Sequence, residues 1–99
     1  MKLAIVASAA MLALPLSAGA QESGRNLAAA CAICHGTLGK PAPGAPLIPL
    51  AGLPRDHIAT QMRAFRDGKR PATVMHQIAK GYSDVQIEAL ATWFAEQKR

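Results

Sequence analysis

Cys31-Ala32-Ile33-Cys34-His35 is the stretch on which the fold of this chain turns. Two thiols stand about one helical turn apart, and an imidazole follows directly. A disulfide between them would close a tiny loop and constrain little of the unfolded chain. A redox C-x-x-C wants a βαβ context, and no β pattern is visible here. A zinc site needs two more ligands. His57 and His76 are the remaining histidines, at spacings that match no zinc pattern. What remains is C-x-x-C-H, the attachment signature for c-type haem. Two thiols add across the two porphyrin vinyl groups and form thioethers. Two intervening residues in a helical turn let both sulfurs reach. The next residue then falls under the iron. Cys31 and Cys34 are therefore expected to bind one haem c covalently, and His35 to be an axial ligand of its iron.

The sixth ligand decides what such a haem does, because a His/Met pair raises the potential and suits electron transfer, whereas an open position suits ligand binding. Beyond the first twenty residues the methionines are Met62 and Met75. Met62 falls on the apolar stripe of a predicted helix, where packing is the default role. Met75 falls in the connection before the last predicted helix, where a chain can cross the open haem face. Met75 is thus the expected axial ligand, with Met62, His76 and a vacant position as the alternatives. The proximal imidazole also needs an acceptor on its other nitrogen. The proline-rich stretch after it offers stiff carbonyls at Pro46 and Pro49, and Pro49 is the one favoured.

Working outward, Lys2 and the apolar run from Leu3 to Leu16 read as the start of a signal peptide, too short to span a bilayer. Ala18-Gly19-Ala20 fits a cleavage site, which places the cut after Ala20. Residues 1–20 are then a cleaved leader and residues 21–99 a single domain, exported to the periplasm. All of the eleven Lys and Arg except Lys2 lie in that domain, against six Asp and Glu. Its charge is positive, but no aromatic interleaving or known motif supports nucleic-acid binding. The basic residues Arg55, Arg63, Arg66, Lys69 and Arg70 read as a solvated helix face, or as a surface for an acidic protein partner. A domain this small has a thin core and often needs a covalent or metal staple.

Residues 21–32 read as a helix with Ser23 as its N-cap. Residues 36–52 hold four glycines and four prolines, so they form a loop. Pro54 opens a second helix that runs to Gly68 with Ile58, Met62 and Phe65 on one face. A short helix follows over 72–80. The last covers 83–97, with Ser83 and Gln86 as a capping box, Asp84 in its first turn, and Ile87, Leu90 and Phe94 facing inward. Trp93 and Phe94 are expected to pack on the first helix near Gly24 and Leu27. Tyr82 either faces the haem edge or fills space before the last helix. The fold class is all-α.

With these parts assembled the chain resembles a class I cytochrome c over essentially all of residues 21–99. The pattern is a helix ending in C-x-x-C-H, a Gly/Pro loop, a methionine, and a C-terminal helix that crosses the first. The usual Met-Pro pair is absent, because His76 follows Met75. Within the class it looks most like the cytochrome c subunit of flavocytochrome c sulfide dehydrogenase, and more broadly like the cytochrome c4 group. Thr73-Val74-Met75-His76-Gln77-Ile78-Ala79-Lys80-Gly81-Tyr82-Ser83-Asp84 is the most specific segment, supported by Gln61 to Gly68 and Pro49 to Gly52. The resemblance implies a small helical domain around one haem, moving electrons without making bonds. It also implies a periplasmic flavoprotein dehydrogenase as partner. A free-standing carrier of the c4/c5 type and a haem-based ligand sensor are the alternatives.

Overall fold

A computed structural model describes residues 4–5, 8–10 and 17–99. The apolar run of the expected leader lies largely outside the described residues. Five α-helices follow in order: α1 (Ser17–Ala28), α2 (Ala32–His35), α3 (Arg55–Arg66), α4 (Met75–Ala79) and α5 (Asp84–Ala95). A 3-10 turn at Ala29–Cys31 joins α1 to α2, and another follows at Thr37–Gly39. Among the described residues there is no strand, in keeping with the all-α expectation.

The element boundaries depart from the sequence reading in three places. The first helix is already formed at Ser17 and runs through the expected cut after Ala20, so Ser23 sits inside α1 and caps nothing. Ala18 and Ala20 are strong helix formers and no proline interrupts them, so the helix propagates through. Pro54 is the N-cap of α3 and not its first turn, because its ψ of 134° is extended. The short helix over 72–80 shrinks to Met75–Ala79. Val74 has φ −133°, and a β-branched residue shortly after Pro71 has little tendency to enter a helix. The last helix starts as expected. The Ser83 hydroxyl accepts from the Gln86 amide at 3.2 Å, and the Gln86 side-chain oxygen accepts from the Ser83 amide at 2.9 Å.

α5 is the centre of the packing. Ile87, Leu90, Ala91 and Phe94 are at most 1% exposed. Ile58, Ala59 and Met62 of α3 close over them, with Ala28 of α1 and Ala79 of α4. α1 crosses α5 at Gly24. A Cβ there would stand 2.6 Å from the Ala89 carbonyl oxygen and 3.1 Å from Trp93 Cβ. This is the contact expected between Trp93 and the first helix, and only glycine allows it.

α3 is also held to α5 by charge. Arg63 reaches Asp84 at 3.2 Å and Glu88 at 2.6 Å, Arg66 reaches Asp84 at 2.8 Å, and Arg55 pairs with Glu88. These arginines hold both carboxylates below their ordinary range, chiefly through the hydrogen bonds they donate. The basic stretch is therefore not one free surface: Arg55, Arg63 and Arg66 are turned onto α5. Arg70 lies 4.7 Å over the Phe65 ring and bonds to Gln61.

Candidate functional site

The segment from α1 through the 3-10 turn to α2 carries Cys31, Cys34 and His35 on one continuous helical path. Cys31 is half-buried against the core and Cys34 is exposed. Both are free thiols, so the small-loop disulfide is not formed. Burial pushes the Cys31 thiol up, and Cys34 pushes it the same way.

His35 is oriented by the loop that follows it. Its Nδ1 stands 2.9 Å from the Ile48 carbonyl oxygen. A carbonyl only accepts, so Nδ1 carries the proton and the Nε2 lone pair is left for a metal. The acceptor is one residue earlier than Pro49, the residue favoured from sequence. The reason is local. A proline forces the residue before it into extended backbone, so Pro49 stiffens the orientation of the preceding carbonyl more than its own. That restriction was the signal available in the sequence. The loop is closed at its base by Gly39, whose carbonyl accepts from Leu50 at 2.8 Å and Ala51 at 3.1 Å. Gly39 has φ +76°, and a Cβ there would meet Phe94 at 2.9 Å. The core residue Phe94 thereby sets the height of the loop that fixes His35.

Met75 opens α4 and packs on the margin of the same buried cluster that Cys31 borders. Met62 is 7% exposed, inside that cluster with Ile58 and Ala59. That is the packing role expected for it. His57 is exposed. His76 Nδ1 is buried and has no hydrogen-bond partner among the described residues.

Tyr82 reaches from the α4–α5 connection back to α1. It donates its hydroxyl to the Leu27 carbonyl at 3.4 Å. Burial raises its pKa, and the Cys31 side chain raises it further. No group of three His, Cys, Asp or Glu side chains gathers into a metal site among the described residues, which leaves the zinc alternative without ligands. A shallow groove of about 310 Å³ runs along α5 and another of about 210 Å³ lies between residues 25–39 and Trp93 and Phe94; neither is lined by Cys34, His35 or Met75.

These residues fit a c-type haem. Two unpaired thiols sit about a turn apart, and the next imidazole presents Nε2 while its other nitrogen is held. Apolar Leu47 and Ile48 on the loop and Val74 and Ile78 around α4 are exposed, as the flanks of a flat hydrophobic ring would be. A buried, unpartnered imidazole nitrogen beside Met75 marks the other flank as a place for a further polar group.

Residues 18–94 match the family described as "Cytochrome C oxidase, cbb3-type, subunit III". The chain belongs to the cytochrome c family. Among curated relatives, the "Thiosulfate dehydrogenase electron acceptor" of Thiomonas intermedia is 47% identical over 72% of this chain and 33% of its own length. The "Cytochrome c4" of Pseudomonas aeruginosa is 37% identical over 83% of this chain and 40% of its own. The "Cytochrome subunit of sulfide dehydrogenase" of Chlorobaculum tepidum is 36% identical over 75% and 66%. The chain thus spans a third to two thirds of the length of these relatives. As a cytochrome c it carries covalently bound haem c, one for its single C-x-x-C-H, and its function is electron transfer. The class I resemblance and the helical fold stand. No helix among the described residues is long and apolar enough to cross a membrane.

Proposed function

We propose that this cytochrome accepts electrons, one at a time, from a periplasmic flavoprotein that oxidises sulfide, and passes them to a further carrier. The haem, when bound, supplies a one-electron Fe(III)/Fe(II) couple. The chain's residues do the rest. Cys31 and Cys34 hold the group through thioethers. His35 Nε2 and the Met75 sulfur would hold its iron. The Ile48 carbonyl keeps the His35 ring in one tautomer and one orientation, and strengthens it as a donor. The apolar flanks keep water from the ligands, which with His/Met ligation favours the reduced state.

The observation that carries this reading is the His35 Nδ1 to Ile48 oxygen contact of 2.9 Å beside two free thiols. It orients the one histidine of the motif for metal binding through Nε2. A sulfide-oxidising partner is supported by the relative named as the cytochrome subunit of sulfide dehydrogenase, and its flavoprotein class is what the sequence resemblance implies. The leader reading, cleavage after Ala20 and a domain over 21–99, supports export to the compartment where such dehydrogenases and haem attachment occur. Resemblance to cytochrome c4 supports a free-standing carrier as the second reading.

Two measurements test it. Co-expressed with a haem-maturation system, the protein should give a haem-staining band on a denaturing gel, and a colourless band refutes covalent attachment. Met75→Ala should abolish the sulfur–iron charge-transfer band of the oxidised protein. Its survival would move the ligand away from Met75. Purification of the untagged protein from its source separates the partner readings, since a co-purifying flavin protein supports the dehydrogenase and its absence the free carrier.

A further inference from the structure

Tyr82 sits where three local structures meet. Gly81 and Tyr82 donate their amides to the carbonyls of Ile78 and Ala79 at 3.1 and 3.2 Å, which closes α4. Ser83 then opens α5 with its capping box. The backbone at residue 82 is therefore fixed on both sides, and the direction of its side chain with it. That side chain reaches back to the first helix, where its hydroxyl donates to the Leu27 carbonyl at 3.4 Å.

The acceptor is placed with similar economy. Leu27 stands just before the change from α-helix to the 3-10 turn at Ala29–Cys31. In a 3-10 turn the amides take carbonyls three residues back, as Ala32 does with Ala29. The α-helical partners four residues back lose those donors at the junction. Leu27 can accept from outside the helix, and Tyr82 supplies the donor. Cys31 lies at the end of the same turn.

We infer that Tyr82 is a positioning residue: by donating to the Leu27 carbonyl beside Cys31, it latches the Met75-bearing helix α4 to the haem-bearing turn and keeps the Met75 sulfur on the iron against competing ligands. The inference rests on the proposed ligation by Met75. α4 has only five residues, too few to hold its own place, so its position is set by its anchors. Ala79 in the core and Met75 on its margin are two of them. Tyr82 is a third, and it is the one that reaches α1, which leads directly into the turn that carries Cys31.

The test is exogenous imidazole titrated into the oxidised holoprotein, read as bleaching of the sulfur–iron charge-transfer band. Tyr82→Phe keeps the ring and removes only the donor. It should tighten apparent imidazole binding about two- to threefold, the low end for one net hydrogen bond, because 3.4 Å is long for an O–H···O contact. Thr92→Val is the control. It removes a hydroxyl donor of the same kind, from Thr92 to the Glu88 carbonyl at 2.8 Å on α5, and should leave imidazole affinity as in the wild type. Equal affinity in wild type and Tyr82→Phe overturns the latch while leaving Met75 as ligand. A similar gain in Thr92→Val also overturns it, by tracing the effect to general loosening. A wild-type protein without the band overturns Met75 ligation itself, and the latch with it.

Discussion

Substituting Gly24 by alanine tests the helix crossing on which the whole site rests, because two opposed effects can be weighed there. Alanine is the better helix former by about 0.8–1 kcal/mol, which favours the variant. Against it stands the Ala89 carbonyl oxygen, 2.6 Å from where the new Cβ would be, and Trp93 Cβ at 3.1 Å. The first is backbone and the second is the root of a side chain, so neither can rotate away. Relief requires α1 and α5 to part by more than about half an ångström, and overpacking of this kind typically costs about 1–3 kcal/mol. A backbone oxygen at 2.6 Å puts this site in the upper part of that range, about 2–3 kcal/mol, so the steric effect wins with a net loss of about 1–2 kcal/mol. For a domain of this size that lowers Tm by roughly 5–15 °C. The assay is thermal unfolding of the holoprotein, followed by far-ultraviolet circular dichroism and by the Soret band. Gly81→Ala is the comparison, since its nearest foreign atom is the Ile78 oxygen at 3.4 Å, an ordinary contact. An unchanged or raised Tm in Gly24→Ala would mean that helix propensity decides, and would refute the close crossing of α1 on α5.

Acid should loosen the α3–α5 seam, because Asp84 and Glu88 are held below their ordinary pKa by Arg66, Arg63 and Arg55. The unfolded chain binds more protons than the native one there, so this contribution is complete above the ordinary carboxylate range and is lost as pH falls through the lowered values. Asp84→Asn should be less stable than wild type in urea at neutral pH, and the two should converge as pH falls below the ordinary carboxylate range; a gap that stays constant with pH contradicts the pairing. The doubly substituted Cys31→Ala, Cys34→Ala chain, which cannot attach haem, should show no cooperative thermal transition. Its buried hydrophobic cluster is small and mostly alanine, isoleucine and leucine, and a domain of this size is marginal without a staple. A sharp calorimetric peak from that variant would show that the polypeptide core suffices.

Several features of this chain were set by local chemistry and were therefore open to reading from the sequence. C-x-x-C-H fixes two thiols and an imidazole at the end of a helix whatever packs around it. Ser83 and Gln86 make a reciprocal cap from residues three apart. The stripes Ile58–Met62 and Ile87–Leu90–Phe94 follow from helical periodicity, and they became the core. Helix ends were less legible. Ser23 has the chemistry of a cap but no break in the chain before it, and α1 ran past it.

The tertiary structure alone decided the rest, because it depended on which distant groups came within a few ångströms. Ile48 is not marked as an acceptor by its own type. It became one when the loop, closed at Gly39 against Phe94, brought its carbonyl to His35. The arginines of α3 looked like one basic face, yet α5 placed Asp84 and Glu88 opposite three of them. Tyr82 was expected at the haem edge or in the space before the last helix, and the capped turn before α5 instead sends its hydroxyl back to Leu27. Charge, hydroxyl and carbonyl act at contact range, so their roles are properties of neighbours far along the chain. The thiols and imidazole of residues 31–35 act together because the helix holds them together, which is why they were visible first.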